Sequence, residues 1–133
     1  MPIAVQWYDE NKTILVMRYQ KGTDWSEFHQ AFNDLDVTLA TIQNRICIIH
    51  VVEALPKGSL LSHINHVVKA TPNQIIIGIN VPASNPVSNA ILQSILQVIS
   101  RARVTNQPFT LAKTIEEATE KARHYIAQAQ TIS

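Results

Sequence analysis

Residues 45–69 read RICIIHVVEALPKGSLLSHINHVVK. The first eight, 45–52, open on Arg45 and continue as an apolar run rich in β-branched side chains, interrupted only by His50. That length and composition predict a strand buried on both faces, as in the middle of a parallel sheet. A loop follows over 53–58, broken by Pro56 and Gly58, and an amphipathic helix opens at Ser59. Its Leu60, Leu61, Ile64, Val67 and Val68 face a core, while Ser59, Ser62, His63 and His66 lie away from it. In an open α/β sheet, ligands bind where such strands end and the next helices begin. Function is therefore sought at that edge.

Upstream, Ile3, Val5 and Trp7 alternate with Ala4, Gln6 and Tyr8, and residues 9–12 supply turn chemistry. Residues 13–19 alternate again, Ile14, Val16 and Arg18 on one face and Leu15, Met17 and Tyr19 on the other. Two strands this close predict an antiparallel hairpin. Asp24-x-x-Glu27 fits a capping box. Behind it Trp25, Phe28, Phe32, Leu35, Leu39 and Ile42 make one apolar stripe on a helix of about five turns.

Downstream, Pro72-Asn73 ends the helix that began at Ser59, and residues 74–80 (QIIIGIN) read as another buried strand. Asn85-Pro86 caps a third helix reaching residue 103. Residues 109–112 are a short strand. Thr114-x-x-Glu117 is a second capping box, opening a last helix with Ile115, Ala118, Ala122, Tyr125, Ile126 and Ala129 on one face. The order is β-β-α-β-α-β-α-β-α: a single domain over 1–133, α/β, with one mixed, mostly parallel five-stranded sheet, an N-terminal antiparallel hairpin strand and four helices.

Composition narrows the function classes. Charged residues make up 16% of the chain, against about 25% in an average protein. The net charge is +1 without a basic run, which argues against nucleic acid or an anionic membrane as partner. No apolar run approaches the roughly 18 residues that span a bilayer. Asp9 and Glu10 follow the first residues too closely for a signal peptide, so a cytoplasmic protein is expected. The one cysteine, Cys47, falls mid-strand, where a thiol is inert. With three glycines, Gly22, Gly58 and Gly78, no Gly-rich phosphate loop can form.

The element order resembles that of the STAS domain, the fold of bacterial anti-sigma-factor antagonists, and of SpoIIAA-like proteins. Three stretches carry the resemblance: TILVMRYQKGTDW, a strand closing on a glycine and a helix cap; ICIIHVV running through a loop into a helix; and FTLAKTIEEATEKA, a short last strand and closing helix. The likeness covers nearly the whole chain and rests on hydrophobic pattern and caps. It implies a non-catalytic protein-interaction or regulatory module of a bacterial cytoplasmic protein, with a kinase or anti-sigma-type regulator as partner. In regulatory STAS domains a serine opening the second helix is phosphorylated. Ser59 takes that position, with Gly58 where the family has an acidic residue, no glycine following, and His50 where the family ends its third strand in Asp or Asn.

Read from the residues alone, Ser59 is first of all a helix N-cap. A phosphate there would also be stabilised by the helix dipole and by Lys57. His63 and His66 could share a metal, but zinc takes three or four ligands and only His50 and Glu53 lie nearby in sequence, so no metal is assigned. His50 reads as a hydrogen-bonded structural histidine. As a general base it would need Ser59 as nucleophile, and no G-x-S-x-G elbow is present. No catalytic residue and no cofactor are assigned. Asp24, His50, Glu53, Ser59, Asn80, Ser84 and Asn85 form a polar rim at the strand ends, and the alternative reading is a small-ligand-binding protein or enzyme using it. On the third helix Ile91, Leu92, Ile95, Leu96, Val98, Ile99 and Ala102 span an apolar arc of about 160°. A homodimer through Leu92 and Leu96 is expected from it.

Overall fold

The computed structural model describes residues 3–20, 22, 24–53, 74–82 and 109–132. The expected helices opening at Ser59 and at Asn85-Pro86 lie outside the described residues. Five strands form one sheet in the spatial order β1-β2-β3-β4-β5: β1 (Ile3–Trp7), β2 (Ile14–Tyr19), β3 (Ile46–Val52), β4 (Ile75–Pro82) and β5 (Phe109–Leu111). β1 pairs antiparallel with β2, and every other pairing is parallel. The sheet is therefore mixed, with its antiparallel strand at one edge and the 45–52 run at its centre, as the sequence predicts.

The hairpin turn is built by Asp9. Its carboxylate accepts from Thr13 N–H at 2.9 Å, from Ile14 N–H at 3.1 Å and from the Thr13 hydroxyl. Burial pushes this carboxyl up, but the hydrogen bonds together outweigh it and hold Asp9 below the ordinary carboxylate value. Lys12 adopts a left-handed backbone, φ 56°, to close the turn. Asn44 ties the loop before β3 to this turn, donating to Asn11 C=O at 2.7 Å and Lys12 C=O at 3.3 Å.

α1 (Trp25–Ala40) begins at the expected capping box. Glu27 N–H donates to Asp24 Oδ1 at 2.8 Å, and Asp24 N–H donates to Glu27 Oε1 at 3.4 Å. The helix ends at Ala40, two residues short of Ile42, and is capped by Thr41, whose N–H donates to the Leu39 and Thr38 carbonyls. Ile42 still packs on the core from beyond the end. α2 (Ile115–Ile132) opens at the second box with one half displaced. Glu117 N–H donates to Thr114 Oγ1 at 3.1 Å, but the Glu117 carboxylate takes the N–H of Lys113, at 3.0 Å, rather than that of the cap residue.

The helices cover opposite faces. Phe28, Phe32, Leu35 and Leu39 of α1 meet Leu15, Met17, Tyr19, Ile46 and Ile48. Ala118 and Ala122 of α2 meet Val16, Cys47, Ile49, Ile77 and Ile79. The odd-numbered residues of β4 change face. A register shift beside Ile46 puts Ile75 in the first cluster and Ile77, Ile79 and Val81 in the second. β4 also runs two residues past the expected Asn80.

Candidate functional site at the strand ends

Parallel pairing brings the C-terminal ends of β2 to β5 to one edge of the sheet. Met17 sits opposite His50, and His50 opposite Asn80. The strand period then puts Tyr19, two residues beyond Met17, on the same face as His50. The Tyr19 hydroxyl lies 2.7 Å from His50 Nδ1, and the two rings stack at 5.7 Å and 28°. Phe28 of α1 backs the Tyr19 ring at 6.2 Å.

The protonation of this pair follows from its surroundings. Burial pushes the Tyr19 phenol far above its ordinary value, so it keeps its proton. Burial pushes the partly exposed His50 imidazole down to about 4, so it is neutral near pH 7. Met17 Sδ stands 3.8 Å from the same hydroxyl, but an imidazole nitrogen accepts better than a thioether. The phenol therefore donates to Nδ1, which assigns the His50 proton to Nε2.

The other rim residues have definite positions. Asn80 is buried, and its Nδ2 donates to Thr110 C=O at 3.4 Å, linking β4 to β5. Glu53 follows β3 directly, with its N–H on Tyr19 C=O at 3.0 Å and its side chain exposed. Asp24 spends its carboxylate on the α1 cap. Ser59, Ser84, Asn85, Leu92, Leu96, His63 and His66 lie outside the described residues. The structure thus brings His50 and Asn80 side by side and places Glu53 and Asp24 after the ends of β3 and β2.

The strand readings miss Tyr19 as a site residue. It is separated from His50 by 31 positions, and only the β2–β3 register puts them together. Cys47 is buried as expected. Burial pushes its thiol up to about 12, against smaller opposing effects of the Ile77 backbone and Arg45, and its Sγ lies 3.7 Å from Ala122 C=O. Among the described residues no three His, Cys, Asp or Glu side chains gather as a metal set, and no helix is long and apolar enough to cross a membrane.

No family model, curated protein or solved structure matches this chain.

Proposed function

We propose that this chain is a non-catalytic, STAS-like interaction or regulatory module, with four helices in the full β-β-α-β-α-β-α-β-α order. Its recognition surface is the C-terminal edge of the parallel strands, extending to Ser59. The observation that carries the reading is the Tyr19–His50 pair. A general base works best with a pKa near the working pH. An imidazole held at about 4 and a phenol held well above its usual value exchange no protons at neutral pH. The buried Tyr19 fixes the partly exposed imidazole in place, and both are uncharged, which suits a surface that presents one N–H donor. A thiol at about 12 is likewise no nucleophile.

Affinity capture from the native host tests this, with wild-type, Ser59→Ala and Ser59→Asp chains and native mass spectrometry of each. The expected result is a protein partner whose retention differs between Ser59→Ala and Ser59→Asp. Equal capture by all three chains, together with a small molecule retained in stoichiometric amount, overturns it in favour of a ligand-binding protein.

A further inference from the structure

The outer edge of the sheet carries a second feature, on the same face as the Tyr19–His50 pair, with Ile3 opposite Tyr19 in the register. β1 is the sheet's outer strand. Tyr8 N–H donates to Ile14 C=O at 2.8 Å, so Tyr8, Gln6 and Ala4 turn their peptide groups toward β2. Antiparallel ladders alternate, so Ile3, Val5 and Trp7 turn theirs outward, to an edge that no other strand among the described residues pairs with. Natural edge strands are usually blunted by lysine, proline or a bulge. β1, sequence IAVQW, has none of these.

The side chains of those same three residues face α1, and between β1 and α1 runs a groove of about 750 Å³. Val5 is 42% exposed beside it. Its helix wall offers Glu27, Gln30 and Asp34, and none of the described residues lining it is cationic. Gln30 Nε2 donates to one Asp34 oxygen at 2.8 Å.

We infer that the β1 edge and this groove dock an extended segment of a partner protein with the pattern cation-x-apolar-x-cation. An added strand would pair with the outward peptide groups of Ile3, Val5 and Trp7, as in β-augmentation. Its upward side chains would stand between Val5 and α1. Glu27 and Asp34 are seven positions apart, about 10 Å along the helix. Strand positions i and i+4 are about 13 Å apart, with i+2 between them. Lysine or arginine at both ends spans that difference with a flexible stem, and the apolar residue lies over Val5. A second copy of this chain fits less well. Pairing β1 with β1 about a two-fold axis puts both α1 helices on one side of the sheet. It then adds only uncharged side chains from β1 and sets Glu27 and Asp34 against their own copies.

The test uses the full chain and a fluorescein-labelled peptide, Thr-Lys-Thr-Val-Thr-Lys-Thr, read by anisotropy and by amide NMR shifts. The expected result is saturable binding with shifts at Ile3, Val5 and Trp7. Binding should fall about tenfold or more when both peptide lysines become glutamate. Val5→Pro, which removes an outward N–H that β2 does not use, should abolish binding while circular dichroism stays unchanged. Asp34→Lys, at an exposed helix position, should weaken the lysine peptide and strengthen the glutamate one. No binding, equal binding of the two peptides, or Asp34→Lys leaving both affinities unchanged overturns the inference. A doubled mass in light scattering that Val5→Pro abolishes also overturns it, because the edge then belongs to a second copy.

Discussion

The two faces of the sheet are packed by opposite means. On the α1 face large side chains interlock: Phe28 and Phe32 stand 4.7 Å apart between their centroids, over Leu15, Met17 and Ile48. On the α2 face the helix presents Ala118 and Ala122, both fully buried, and the sheet supplies the bulk through Ile49, Ile77 and Ile79. Alanine lets a helix axis come close to the strands, so a larger side chain there meets the sheet at once. The aromatic face leaves room at its margin, and both the Tyr19–His50 pair and the β1 groove lie on that face. Both candidate surfaces therefore lie on the face whose helix packs through large side chains.

The largest expected effect tests the aromatic face. Phe32→Ala should cost about 3–5 kcal/mol in urea unfolding, because its neighbours cannot close the cavity. Next come two substitutions of the same kind. Ala122→Leu should cost about 1–3 kcal/mol by overpacking the α2 face. Ala31→Leu, at a buried α1 position that lines the groove, has open volume to grow into and should cost less than Ala122→Leu. Equal costs at the two alanines would break the comparison.

The third effect depends on pH. The His50 pKa is lower folded, about 4, than its unfolded value of about 6.5, so the unfolded chain binds the extra proton between those limits. Stability is then fully present above about pH 6.5 and is lost as pH falls toward 4. From pH 7 to 5 the loss from this residue should be about 1–2 kcal/mol. Urea unfolding at both values, with wild type and His50→Gln, isolates it: the variant should lose that much less. The smallest effect lies in the hairpin. Lys12→Gly should raise stability by up to about 1 kcal/mol, since glycine takes a positive φ without strain, and a shift in the melting midpoint reads it.

Much of this architecture was legible in the sequence, because local chemistry dictates it. Alternation marks β1 and β2, an unbroken apolar run marks β3, and Asp24-x-x-Glu27 marks the start of α1. The displaced half of the second box was not legible, because Lys113 N–H competes for the Glu117 carboxylate in a way spacing does not reveal. The change of face within β4 was hidden as well. QIIIGIN has isoleucines at both parities, so its pattern fits either phase. Asp24 looked like a rim residue, yet its oxygen is already used by the cap. Tyr19 and the β1 groove needed the strand pairing, which no single segment encodes.

The amides of Asn44 and Gln74 have one more consequence, for how the strands find their alignment. Sliding ILVMRY past ICIIHVV by two positions keeps every apolar side chain on its own face, so hydrophobicity alone does not choose between alignments. Polar contacts do. Asn44 reaches the turn carbonyls before β2, and Gln74 donates to Leu39 C=O at 2.8 Å and to Ile42 C=O at 3.2 Å just before β4. At the far end Tyr19 meets His50. A two-residue slip at β2–β3 would strand the Asn44 amide and part the phenol from the imidazole. These few polar atoms act as an alignment check on a centre that is otherwise interchangeable grease.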